Sequence, residues 1–256
     1  MKKKLKILHV GNHTIPCVGG IEQVVWNTAK GQAKMGHNVS IMVFDTCTDG
    51  KTKLESEETI EGVHIFRVPQ SGFSFYRSPS RETLLERARG HDIVHVHGLG
   101  AWFDILADAK NNSSGYKLVL TTHGGFFHTG KRGLLKWVYR TFLLPARWGK
   151  ADWIFFVSAN DQANFEGLDF SRSSVLGNGV DVAPLLKLSL AKKDPHQFIF
   201  VGRLSRNKRV DRLLEVFSHL VKRDSHFQLH IVGPDWEGIM NELREQTKQL
   251  GIGKNI

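Results

Sequence analysis

Residues 5–44 read LKILHVGNHTIPCVGGIEQVVWNTAKGQAKMGHNVSIMVF. Leu5–Val10 is a short apolar run, too brief for a helix and suited to a buried strand. A loop carrying Gly19 and Gly20 follows, then a helical period over Ile21–Met35, then a second apolar run at Val39–Phe44. Strand, glycine loop, helix and strand make one βαβ unit, the repeating element of a parallel sheet covered by helices. The same alternation continues through strands at Val63–Val68, Ile93–His97, Leu118–Thr122 and Trp153–Val157. Helical segments fall at Arg81–Arg89, Trp102–Lys110, Leu134–Trp148 and Ala159–Glu166. Several strands are continuously apolar, as strands buried on both faces are. Residues 1–182 are therefore expected to form one complete Rossmann-like parallel-sheet domain of α/β class.

The rhythm stops over residues 183–196, which lack a clear period and carry Pro184 and Pro195; this segment reads as a linker. It then restarts with a strand at Phe198–Leu204, a helix at Lys208–Val221, a strand at Phe227–Gly233 and a helix at Trp236–Leu250. Two strands and two helices cannot cover a doubly wound sheet. Residues 197–256 are accordingly expected to be the first half of a second Rossmann-like domain, in a fragment of a longer protein.

The formal net charge is +10 and 41% of the residues are hydrophobic. A basic balance favours an anionic partner: a nucleotide, a nucleic acid or an acidic membrane surface. No apolar run approaches the length of a membrane span, so any membrane contact would be peripheral. MKKKLKILHVGN reads as a first strand rather than a signal peptide. Cys17 and Cys47 are too few for a framework and match no zinc spacing, which fits a reducing cytoplasm.

Five stretches carry candidate chemistry. Gly19 and Gly20 lead into a helix with Glu22 in its first turn, a place where free N–H groups can meet phosphate; an ordinary flexible loop reads equally well. In DIVHVHGLG (residues 92–100), His95 and His97 point to one face of a strand end. They could be a metal pair, although no carboxylate ligands are evident nearby. TTHGGFFHTGKR (residues 121–132) places His123 just beyond a strand, where open α/β sheets bind ligands, and Gly124 and Gly125 permit close approach. KRGLLKWVYRTFLLPARWGK (residues 131–150) holds six Lys or Arg and no acid. Its Arg132, Lys136 and Arg140 are four residues apart, and Trp137 and Arg147 lie close by. The segment reads either as a basic amphipathic helix on anionic lipid or as a core helix with a solvated face. Finally, Arg203 follows a strand and Lys208 opens the next helix, a cation pair suited to a diphosphate leaving group.

Taken in order, VGGIE, HVHG, TTHG, VSAND, LGNGVDV, FVGRLSRNKRVDRLLEVF and LHIVGPD resemble the family-4 retaining glycosyltransferases of GT-B fold. The stretch TTHGGFFHT followed by a basic helix is most similar to bacterial exopolysaccharide mannosyltransferases. The resemblance implies transfer of mannose from GDP-mannose to a polyprenyl-diphosphate-linked oligosaccharide on the inner face of the cytoplasmic membrane. It implies His123 at the reaction centre and Gly19 and Gly20 near the donor diphosphate or sugar. Arg203 and Lys208 would neutralise the diphosphate, with no metal, no cofactor and no nucleic acid. Glu22, His95, His97, Gly124, Asn178 and Asp181 would line the cleft. The family's E-x7-E segment comes later than LHIVGPD and the helix ending at GIGKNI, beyond these 256 residues, so the chain alone is expected to turn over little donor. Two other readings stay open: a metal-dependent hydrolase using His95, His97 and His123, and a non-catalytic nucleotide- or membrane-binding protein.

Overall fold

The computed structural model describes residues 3–47, 52–73, 76–111, 113–125, 133–183, 185–188 and 192–256. The chain divides into two units, Met1–Leu185 and Leu186–Ile256, and the division falls within the segment expected to be a linker.

Unit one contains β1 (Lys6–Val10), α1 (Gly20–Lys34), β2 (Asn38–Phe44), β3 (Glu57–Ile60), β4 (Val63–Val68) and a small hairpin of β5 (Ser71–Phe73) and β6 (Tyr76–Ser78). It continues with α2 (Arg81–Arg89), β7 (Ile93–His97), α3 (Ala101–Ala109), β8 (Lys117–Thr121), α4 (Gly133–Val138) and α5 (Leu144–Trp148). Strand β9 (Trp153–Phe156), α6 (Ala159–Ala163) and β10 (Ser173–Val175) complete it. The main sheet runs β10-β9-β8-β7-β1-β2-β4-β3. Its pairs are parallel except β3 with β4. The antiparallel edge strand β3 and the β5–β6 hairpin are short and polar, and they lack the apolar signal that marks the central strands.

Alternation along each strand builds two cores. Met42 and Phe44 of β2 pack with Leu8, Val10, Val94 and Val96 on one face. Val39, Ile41 and Val43 pack under Val25, Trp26 and Ala29 of α1 on the other. The intervening residues of β1 and β7, which are His9, His95 and His97, therefore lie on the face opposite Leu8, Val10, Val94 and Val96.

Two expectations change. The helix expected over Leu134–Trp148 is interrupted by a π-helical turn at Tyr139–Leu143. Leu144 N–H donates to Tyr139 O, five residues back, just ahead of Pro145. Proline has no N–H to return to the residue 141 carbonyl, and its ring crowds the preceding turn, so the helix widens there. Cys17 and Cys47 are joined in a disulfide, against the free thiols of a reducing compartment. They are brought together because β1 and β2 are neighbours and both cysteines follow their carboxyl ends.

Unit two holds β11 (Gln197–Val201), α7 (Val210–Arg223), β12 (Gln228–Val232) and α8 (Met240–Gln249), with β11 and β12 parallel. Val210, Leu214 and Phe217 form one stripe of α7 over Leu229, Ile239 and Leu243. Gly233 is obligatory: its φ is +152°, and a Cβ there would lie 1.8 Å from the Gly202 carbonyl oxygen. Away from this core, Ile199 and Val201 are 68% and 72% exposed, so β11 presents apolar side chains to solvent.

Candidate active site

In unit one the strand order reverses between β1 and β7: α1 carries the chain from β1 outward to β2, whereas β7 returns to the other side of β1. Loops leaving such a pair diverge and open a crevice at the carboxyl ends. His9 pairs in register with His95 across this junction. His9 is fully buried and His97 is 7% exposed. The rings of His95 and His97 stack with centroids 4.3 Å apart.

These rings are joined by hydrogen bonds. His9 Nε2 lies 2.7 Å from Gln32 Oε1 of α1. His9 Nδ1 lies 2.9 Å from His97 Nε2, and His97 Nδ1 lies 3.2 Å from His123 Nε2. His95 Nε2 meets Thr121 Oγ1 at 2.7 Å. Burial lowers the pKa of His9 to about 4, against the opposing hydrogen bond to Gln32. Burial likewise takes His123 to about 4, with Asp161 pulling the other way. His95 and His97 are held well below the ordinary histidine value, first by burial and then by neighbouring imidazoles. The four rings are therefore neutral at physiological pH.

His123 sits in a turn that side chains rarely adopt. Its φ is +50°, followed by +81° at Gly124 and +59° at Gly125, a left-handed run that glycine tolerates and histidine resists. Asp161 holds the turn in place. Its carboxylate accepts from Gly124 N–H at 2.9 Å, Thr122 Oγ1 at 2.5 Å and Val157 N–H at 2.9 Å. Asp161 also occupies the third position of α6, whose Ser158 N-cap accepts from Asp161 N–H. The Ser158-x-x-Asp161 spacing is a helix-start signature, and that was the available clue. His9 and Gln32 gave none, because one reads as a strand residue and the other as a helix-surface residue.

The donor atoms of His9, His95 and His97 lie within 4.8 Å of one another, close enough for a metal ion. The grouping differs from the expected His95, His97 and His123. A neutral imidazole has one N–H and one lone pair, and both ring nitrogens of His9 and of His97 are already hydrogen-bonded. A metal would have to break this row, so the residues fit a metal poorly.

At the start of α1, Gly19 is the N-cap and Gly20 the first helical residue. The Glu22 carboxylate folds over Gly19, its Oε2 2.0 Å from where a Cβ would stand. Glu22 lies in the first turn of α1, where its charge meets the positive helix end favourably, and among the described residues no side chain hydrogen-bonds the cap. Asn178 and Asp181 are exposed, and Asp181 Oδ1 accepts from Ala183 N–H at 3.2 Å. In unit two, the Arg203 guanidinium lies over the Trp236 ring at 4.5 Å. Lys208 is exposed in a 3-10 turn, two residues before α7. It does not open that helix, because Arg209 adopts a left-handed conformation between them.

Arg132 lies outside the described residues. Lys136 and Arg140 are half-buried, and Arg140 Nη2 donates to Glu166 O at 3.3 Å. Arg147 leaves the expected lipid-facing set. It grips Asp108 through two 2.8 Å bonds and reaches Asp104 at 3.2 Å. What the segment exposes is apolar: Leu134 is 73%, Trp137 56% and Phe142 63% exposed.

The profile described as Glycosyltransferase Family 4 matches residues 18–184, well over half of the chain. The chain belongs to glycosyltransferase family 4. A second profile, Glycosyl transferases group 1, matches residues 185–256 of this family-4 chain. The chain is similar to GDP-mannose:cellobiosyl-diphosphopolyprenol alpha-mannosyltransferase of Xanthomonas oryzae pv. oryzae, with 31% identity over 98% of this chain and 66% of that protein. It thus spans slightly less than two thirds of that relative's length. Among solved structures it is similar to Anabaena HepE in complex with UDP and glucose, at TM-score 0.64 and 18% identity over 98% of this chain and 68% of that one. It is also similar to TarM, at TM-score 0.68 and 11% identity over 99% and 76% of the two chains. These likenesses give the fold of a GT-B glycosyltransferase. Among the described residues, no helix is long and apolar enough to cross a membrane.

Proposed function

We propose that this family-4 chain serves a retaining alpha-mannosyltransferase that moves mannose from GDP-mannose to a polyprenyl-diphosphate-linked oligosaccharide in exopolysaccharide assembly. The observation that carries the reading is the placement of His123 beside the β1–β7 switch point, held by Asp161 and backed by neutral imidazoles. Neutral rings suit recognition of sugar hydroxyls, which need directional donors and acceptors rather than charge. Arg203 and Lys208 supply cations for the departing diphosphate, so the reaction needs no metal. The donor and the lipid-linked acceptor are supported by the likeness to the GDP-mannose:cellobiosyl-diphosphopolyprenol alpha-mannosyltransferase of Xanthomonas.

The test is transfer of labelled mannose from GDP-mannose into lipid-extractable glycan, using a chain extended through the length its relatives possess. GDP-glucose and UDP-glucose serve as competing donors, and EDTA is included in parallel. EDTA-resistant transfer that is specific for GDP-mannose and falls at least ~100-fold in His123→Ala is expected. Preference for another donor, or loss of activity with EDTA, rejects the reading.

The exposed apolar face of residues 134–143 is assigned to an anionic bilayer at the inner face of the cytoplasmic membrane, where a polyprenyl-linked acceptor resides. Trp137 and Phe142 pack edge to face with centroids 5.7 Å apart, a compact aromatic wedge, and the +10 chain is drawn to negative headgroups. Sedimentation with vesicles containing phosphatidylglycerol is expected to weaken at least ~10-fold in the double variant Trp137→Ser, Phe142→Ser, since each loses apolar insertion. Lys136→Glu with Arg140→Glu should abolish the salt-sensitive part of the binding. Unchanged binding in both variants removes this segment as the anchor.

A further inference from the structure

We propose that Gln32, His9 and His97 form a hydrogen-bonded row that sets the tautomer of His123, leaving its Nδ1 unprotonated as an acceptor. Gln32, His9 and His97 are thus positioning residues for His123. Where two neutral ring nitrogens share a hydrogen bond, one carries the proton and the other the lone pair. Gln32 Oε1 accepts, so His9 Nε2 carries hydrogen and His9 Nδ1 is bare. His97 Nε2 must then donate to His9 Nδ1, which leaves His97 Nδ1 bare. His123 Nε2 must donate to His97 Nδ1, and His123 Nδ1 is left with its lone pair. Each ring transmits the choice to the next, so one amide on α1 commits three imidazoles.

Burial enforces the row. His9 is 0% and His97 7% exposed, so neither can exchange its partner for water, and an orphaned buried N–H is costlier than an unused lone pair. The row has two self-consistent polarities. Turning the Gln32 amide around would make it a donor, reverse each proton and present His123 Nδ1–H instead. His95 stands outside the row, with Thr121 as its own partner. On the mannosyl-transfer reading, on which this last step rests, the bare Nδ1 accepts a hydrogen bond from a hydroxyl of the bound sugar.

The experiment is long-range 1H–15N NMR of the 256-residue protein with 15N-labelled histidine, the His123 ring being assigned by His123→Gln. It requires no substrate, so it stands or falls independently of the transferase reading. Wild type and Gln32→Glu, whose carboxylate can only accept, are expected to show His123 with hydrogen on Nε2. Gln32→Met, similar in size but without an acceptor, favours the reversed polarity; the ratio of the two His123 tautomers should shift on the order of tenfold toward Nδ1–H. His123 found as Nδ1–H in wild type overturns the proposal, even if the variants do not fold. An unchanged tautomer ratio in folded Gln32→Met overturns it as well.

Discussion

Asp161→Ala is expected to destabilise unit one by ~3–5 kcal/mol, since it removes a buried carboxylate that satisfies two backbone N–H groups and a hydroxyl. Gly124 N–H and Val157 N–H would lose their acceptor, while Thr122 keeps a 3.3 Å contact to Phe155 O. The turn at His123 depends on this clamp, because its left-handed backbone is held against its own preference. Asp161→Asn offers little relief. Whichever way the amide is turned, its NH2 faces either Gly124 N–H or Val157 N–H. Urea denaturation of the two variants measures the cost. A loss below about 1 kcal/mol for Asp161→Ala would mean that the turn holds itself.

Acidification from pH 6.5 to pH 4 is expected to cost roughly 6 kcal/mol through the histidine row. The folded pKa values of His9 and His123 are both about 4, against an ordinary 6.5. Each depression is worth on the order of 3 kcal/mol by linkage. The sign follows from proton counting. Between these values the unfolded chain binds protons that the folded chain refuses, so stability is full above about pH 6.5 and drains away as pH falls toward 4. The groups facing His9 are His95, His97 and Gln32; those facing His123 are His97 and Asp161. His95 and His97 shift in the same direction and steepen the loss. Asp108 and Asp152 have lowered values and act below their ordinary 3.8, outside this window. Urea unfolding at fixed ionic strength, stepped across the range, reads the slope directly, and His9→Gln should flatten it. Equal stability at pH 4.5 and pH 7 would show that the row is not neutral and buried.

Much of the architecture was legible because it rests on local signals. The strands Val63–Val68 and Ile93–His97 and the helix Arg81–Arg89 follow from hydrophobic period and capping, and their bounds agree with the structure. The polar edge strand β3 and the β5–β6 hairpin are set by neighbours in space, and no periodicity announces them; the π turn has a local cause in Pro145, which hydrophobic period alone does not register. The same division runs through the site. His95, His97 and His123 stood out because they sit at strand ends or beside glycines. Arg147 looked like one more cation of a basic helix, yet Asp104 and Asp108 take it up from α3.

By itself, the sequence determined a parallel α/β chain with a histidine at a strand end, since strand period, glycine loops and charge are properties of neighbouring residues. Only the tertiary structure decided which histidines meet. His9 lies 88 residues from His97, and Asp161 lies 37 from Gly124. Those contacts arise because parallel strands far apart in the chain lie side by side, and the crossover at β1 and β7 brings their carboxyl ends to one place. A hydrogen-bonded row of neutral imidazoles depends on that juxtaposition and on the burial that keeps water out, and neither is a property of local sequence.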